Sequence, residues 1–251
     1  MKKVALLLFA IVLFFACNNS NKEVYNAPYF KTFDTSVYFS GFYVSENYLN
    51  LVNQSKSLKL AQDSGLCIDI PQHTLKTAMM GYHFHEGVGY YIIKRGTKYQ
   101  LITTPPSDSI KDLDTVYSHA INIELISQGK IKIGTEYFDR IKSANVGEEL
   151  LFTGKYSSET GSAVEFTGDG KVSGLDDYKT YSARIDYYDE AMDVDQVLLG
   201  TTKQDQKEFA FKIRKDTLFI YELKCLKYDK ESHTCGSVGF GMLKYTLVKK
   251  G

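Results

Sequence analysis

The chain has 251 residues, with 30 basic and 30 acidic side chains, no Trp, 19 Tyr, 19 Gly and 4 Pro. A neutral balance without a basic block argues against a nucleic-acid partner, because phosphate recognition needs a surplus of Lys and Arg on one face. Abundant Tyr and Gly with scarce Pro suits many short strands joined by tight turns.

The first element in chain order is a targeting segment. Lys2 and Lys3 precede an unbroken apolar run from Val4 to Phe15. That run is too short for a stop-transfer helix and matches a signal-peptide core. It ends in FFAC, with the small Ala16 before Cys17. This ending resembles the lipobox of bacterial lipoproteins in the style of the Bacteroidetes, although Phe14 stands where that family prefers Leu. The resemblance implies removal of residues 1–16, acylation of Cys17 with chains such as palmitate, and an address on the bacterial cell envelope, with the outer membrane expected. Each buried methylene contributes about 0.8 kcal/mol, so several acyl chains on one residue hold a soluble domain on a membrane. A plain secretory peptide or an uncleaved anchor is the alternative. Residues 17–36, opening with Cys17 and NNSNKE, read as a polar tether. Without residues 1–16, which contain two lysines and no acid, the balance is 28 basic against 30 acidic residues. No later apolar run approaches eighteen residues, so the mature chain is not expected to span a membrane.

From Val37 onward the text is strand-like, with one exception. SENYLNLVNQSKSLKLAQD, residues 45–63, has Tyr48, Leu51 and Val52 at helical spacing and Ser45 as an N-cap. One or two short helices are expected there. Alternating strands then turn at Arg95-Gly96, Gln128-Gly129, Asp169-Gly170 and Lys215-Asp216, giving about fourteen strands in all. Cys67, in LCIDI, is expected to be a small buried residue. Cys225 and Cys235 bracket LKYDKESHT between two strand-like segments. A disulfide there would staple a hairpin loop and contribute roughly 3 kcal/mol.

Two internal echoes appear. FSGFYVSEN, from Phe39, and FTGKYSSET, from Phe152, are identical at five of nine positions and are offset by 113 residues. KYQLI at 98–102 and KYTLV at 244–248 are offset by 146. The offsets disagree, so the expectation is two related β-halves, 37–145 and 146–251, divided near the polar SANVGEE at 143–149, without a clean tandem repeat. The words Gly41-Phe42-Tyr43 and Gly154-Lys155-Tyr156, each followed by hairpin-linked strands, resemble the Gly-x-Trp region of lipocalin-like β-barrels found among exported bacterial lipoproteins. The match is better over residues 149–250. It implies an all-β fold of closed antiparallel barrels with a mouth suited to a small apolar ligand.

Candidate chemistry is sparse. In GYHFHEGVGYY, residues 81–91, strand parity puts His83 and His85 on one face and Glu86 on the other. HFH resembles the paired zinc ligands of α-type carbonic anhydrases and the His-x-His of cupins. A zinc site needs three or four ligands. The place of the cupin glutamate is Gly89 or Tyr90, and His119 is expected on the apolar side of its strand with Ile121, Ile123 and Leu125. His73 and His233 fall in loops. His83 and His85 therefore stay candidates, and no metal or other cofactor is expected. DYYDEAMDVDQ, with Asp186, Asp189, Glu190, Asp193 and Asp195, lacks calcium-loop spacing and reads as a charged hairpin end. No Gly-x-Ser-x-Gly elbow occurs. GDGKVSG has the wrong spacing for a phosphate loop. Phe209, Phe211, Phe219 and Tyr221 form an aromatic stripe expected in the core. The expected function is a membrane-anchored, non-enzymatic lipoprotein that binds a small apolar ligand or an envelope component. The alternatives are a structural or protein-interaction module without a small ligand, and a metal enzyme using His83 and His85.

Overall fold

Alternation and hairpin turns build sixteen antiparallel strands among the residues described by the computed structural model, which are 39–71, 78–82, 86–95, 97–103, 119–142, 145–187, 193–231 and 233–251. The fold is all-β, as the sequence leads one to expect. The first eight strands are β1 (Gly41–Ser45), β2 (Leu66–Ile70), β3 (Ala78–Tyr82), β4 (Glu86–Arg95), β5 (Lys98–Ile102), β6 (Ile121–Ser127), β7 (Lys130–Ile133) and β8 (Glu136–Ile141). Each pairs with its sequence neighbour, and β1 closes on β8 to make a barrel.

The second eight are β9 (Gly154–Ser158), β10 (Ala163–Phe166), β11 (Val172–Ser173), β12 (Thr180–Ala183), β13 (Gln196–Gly200), β14 (Lys207–Arg214), β15 (Thr217–Asp229) and β16 (Thr234–Lys249). They form one sheet in the order β11-β10-β9-β16-β15-β14-β13-β12. A bridge between Lys171 and Thr180, and a 3.0 Å bond from the Val172 amide to the Lys179 carbonyl, draw its end strands together. The second sheet is thus nearly closed and follows the same up-and-down order as the first.

The 113-residue echo marks equivalent places. Gly41 opens β1 and Gly154 opens β9, at φ 146° and 144°. Phe39 and Phe152, two residues earlier in each half, are both buried. Tyr43 lies opposite Arg140 on the last strand of its barrel, and Tyr156 lies opposite Lys249 on the last strand of the other. The 146-residue echo marks different places, the fifth strand of one barrel and the last of the other.

Among the described residues, one α-helix of ten residues interrupts the strands. In α1 (Glu46–Ser55), the Ser45 hydroxyl accepts the Tyr48 amide at 3.2 Å, the N-cap bond expected for Ser at that place. Tyr48, Leu49 and Val52 form its buried stripe. A short 3-10 turn, Gln62–Ser64, follows before β2. The stripe packs with Val44 and Cys67, on the outer side of the first barrel, and with Val146, Leu151 and Tyr187 of the second half. One apolar cluster therefore runs between the barrels. The joining segment, polar in sequence, is part of this joint. Val146 and Gly147 are buried, and Glu148–Phe152 form a single π-helical turn. A Cβ on Gly147 would lie 2.6 Å from the Ala183 Cβ and 2.9 Å from a Leu58 methyl, so only glycine fits where the halves meet.

The strand register corrects one expectation. The stripe Phe209, Phe211, Phe219, Tyr221 is split. Phe211 pairs with Ile220 and Lys212 with Phe219, so Phe219 and Tyr221 lie on the outer side while Leu218 and Ile220 are buried. Pairing of β14 with β15 stops at Glu222. Beyond it, residues 223–229 and 234–240 continue as a two-stranded ribbon, with Leu226, Tyr228 and Phe240 exposed. No helix among the described residues is long and apolar enough to cross a membrane.

Candidate ligand-binding lumen

Paired residues on neighbouring strands share a face, so the register identifies the inner face of the first barrel. It runs from Tyr43 to Ile68, and from Ile92 to Leu101 and Ile121. It continues from Ile123 to Ile133, from Ile131 to Phe138, and closes with Arg140 opposite Tyr43. This lining is mostly aliphatic and aromatic, with inward Ile on β2, β4, β6 and β7 and inward Tyr, Leu or Phe on β1, β5 and β8.

This face is not uniformly dry. Tyr43, Ile68, Leu101, Ile123, Ile131 and Phe138 are at most 1% exposed. Tyr90, Ile92, Tyr99 and Ile121 are only half-buried although they face the same way. Val88 and Leu125, on the same face of β4 and β6, are exposed at 45% and 42%. The inner wall is therefore packed along β1, β2, β7 and β8 and at Leu101 and Ile123, and is partly accessible at Tyr90, Ile92, Tyr99 and Ile121 of β4 to β6. The Phe39 ring meets Tyr99 edge-on, with centroids 5.1 Å apart. Burial raises the Tyr43 hydroxyl pKa, and the Arg140 guanidinium opposes that rise. An apolar wall carrying tyrosine hydroxyls and the Arg140 guanidinium suits a small apolar or amphiphilic molecule.

The second barrel differs. Phe152 stands at its centre, with ring centroids 4.8 Å from Phe211, 5.5 Å from Tyr181 and 5.9 Å from Phe166. Tyr156 adds an edge contact to Phe166 at 5.5 Å. Val164, Val172, Leu199, Leu218 and Leu247 fill in around these rings and are almost fully buried. Burial raises the Tyr156 hydroxyl to about 12. This interior is a side-chain core of the kind small barrels pack.

Two carboxylates sit at the joint between the halves. Asp195 accepts the Ser57 hydroxyl at 2.5 Å and the Leu58 and Lys59 amides at 2.8 and 2.9 Å. Glu148 is buried and accepts the Ala183 amide at 2.9 Å. Burial pushes both carboxyls above their ordinary range, against the pull of these hydrogen bonds. The acidic segment is thus not simply a charged hairpin end. Asp193 is exposed and accepts the Ser237 hydroxyl, but Asp195 turns inward to cap a turn of the other half. Its partners lie 136 to 138 residues away, so no local pattern announces the role.

Other residues singled out in the sequence fall as follows. Cys17, His73, His83, His85, Asp189 and Glu190 lie outside the described residues. His119 is exposed in a turn before β6 rather than on the apolar side of the strand, which begins only at Ile121. His233 occupies the β15–β16 turn at φ 55°, with Nδ1 3.4 Å from the Tyr228 hydroxyl. Cys225 and Cys235 are bonded, with Cα atoms 5.8 Å apart. Cys67 is buried and outside that bond. Among the described residues, no three His, Cys, Asp or Glu side chains gather as a metal site would require. The lumen residues Tyr90, Ile92, Tyr99 and Ile121 were not identified from sequence. YYIIK supplies apolar residues to both faces of β4, and only the register shows which of them line the interior. No known family, no curated protein and no solved structure matches the chain.

Proposed function

We propose that the chain is an exported, lipid-anchored and non-enzymatic binding protein of the bacterial cell envelope, whose N-terminal barrel takes up a small apolar molecule. One observation carries the ligand reading. The inner face along β4 to β6 leaves Tyr90, Ile92, Tyr99 and Ile121 half-buried, whereas the interior of the second barrel is packed with aromatic rings. The FFAC sequence and the polar tether support anchoring through Cys17. The Gly-x-Tyr words and the up-and-down strand order support kinship with lipocalin-like lipoproteins. Native mass spectrometry of the chain from its own host tests the ligand, with a co-purifying small molecule or lipid as the expected result. Cys17→Ser tests the anchor, and should move the chain from the membrane fraction to the soluble one.

A protein-interaction role is the second reading, favoured by the β15–β16 ribbon. Leu226, Tyr228 and Phe240 are 42% to 58% exposed there, and Met242, just beyond its base, is 69% exposed; exposed apolar residues on a ribbon edge suit a protein partner. Photo-cross-linking from position 242 in cells should then trap one dominant protein. No trapped partner would leave the ligand reading alone.

A further inference from the structure

A second cleft, about 210 Å³ in volume, lies where the end of α1 meets the second barrel. Its walls bring together Lys56, just past α1, Lys215 in the β14–β15 turn, and Lys249 at the end of β16. Leu150, Ile213 and Leu218 supply apolar surface, and Asp216 is the sole acid in the lining. Three ammoniums against one carboxylate leave a surplus of two positive charges. None of the three lysines makes an ion pair with a carboxylate among the described residues. The Lys249 ammonium instead lies 5.8 Å above the Tyr156 ring.

The backbone adds an independent observation. Lys56 and Lys215 both adopt left-handed conformations, at φ 55° and 54°. Gly or Asn is the least strained residue in that region. The chain places Lys at both positions, and both line the same cleft.

We propose that this cleft binds a phosphate monoester carrying a small organic group. At neutral pH such a group has close to two negative charges, which matches the surplus on the wall. Lysine ammoniums bind phosphate as point charges, and the leucine and isoleucine side chains cover the organic part. The phosphate belongs either to a soluble metabolite or to an anionic lipid headgroup. The cleft is separate from the lumen of the first barrel, so this site stands whether or not that lumen holds a ligand.

Asn substitution tests the site cleanly, because Lys56→Asn and Lys215→Asn remove charge while keeping a residue tolerated at positive φ. Calorimetric titration of the full chain in neutral detergent uses butyl phosphate and inorganic phosphate as soluble probes. Co-flotation with phosphatidylcholine vesicles containing phosphatidic acid supplies the lipid arm, run on Cys17→Ser protein so that its own anchor does not contribute. Saturable binding is expected in one arm, weakened roughly tenfold or more in the double Asn variant, because charge-assisted contacts are the strong ones. Binding of butyl phosphate identifies a soluble ligand, and flotation without it identifies a headgroup. Absence of binding in both arms overturns the proposal, as does equal binding by native and double-variant protein of matching thermal stability.

Discussion

The Asp195 carboxylate, at the start of a strand in the second barrel, holds the Ser57 hydroxyl of the first half at 2.5 Å. The same carboxylate accepts two consecutive backbone amides, so one side chain ties the turn after α1 to the other barrel. Truncation leaves these donors without their acceptor in a partly buried joint. Asp195→Ala should destabilise the protein by about 2–3 kcal/mol, the range expected when several such bonds lose one shared partner. Asp195→Asn, which keeps an acceptor oxygen, should cost about half as much. Chemical denaturation of the three proteins measures both.

The same carboxyl gives a pH dependence. Burial raises both Asp195 and Glu148 above the ordinary carboxylate range of about 4. The native state then holds their protons more tightly than the unfolded chain does. The stabilisation is complete below about pH 4 and is lost as pH rises through the raised values. The stability advantage of native protein over Asp195→Asn should therefore be greatest near pH 4 and shrink toward neutrality. Denaturant midpoints across that interval check the sign, and an advantage that grows with pH contradicts it.

Gly41 and Gly154 occupy equivalent places in the two barrels, and both should resist substitution for two reasons. Their φ values of 146° and 144° disfavour any side chain, and an added Cβ would meet Arg140 at 2.6 Å or Lys249 at 2.7 Å. Each Gly→Ala change should cost about 1–3 kcal/mol. Arg140→Ala relieves the collision but not the backbone conformation, so Gly41→Ala with Arg140→Ala should remain less stable than Arg140→Ala alone. Melting temperatures of the four proteins separate the two effects.

These glycines also show what the sequence makes legible. Phe-x-Gly-x-Tyr announced the start of each barrel, because a tightly packed first strand needs the same residues both times. The helix at 46–55 was readable from Ser45 and its apolar stripe, and the hairpins from their turn residues. The inner face of the first barrel was not readable. Apolar residues stand on both sides of β4, and register is a long-range property. Phe219 and Tyr221 were misplaced for the same reason, since parity within one strand does not say which side faces inward. Asp195 looked like one of several acids in a loop, and its burial follows only from docking of the two halves.

The disulfide should act locally. Among the described residues, the ribbon beyond Glu222 pairs with no third strand, and an isolated two-stranded hairpin is marginal in water. The Cys225–Cys235 bond closes its loop, which is worth roughly 2–3 kcal/mol on a chain-entropy basis. Cys225→Ser with Cys235→Ser should speed amide hydrogen exchange in residues 223–240 and leave the buried strands of the second barrel protected. Faster exchange throughout that barrel would instead make the bond a global support.

Binding to the first barrel is tested most directly by displacement of a fluorescent fatty acid from the purified chain. Native protein should bind the probe saturably, and Ile92→Trp and Ile121→Trp, which fill the half-open wall, should abolish binding without lowering the melting temperature. Probe that binds native and filled proteins alike, or never binds saturably, would contradict a ligand-binding lumen.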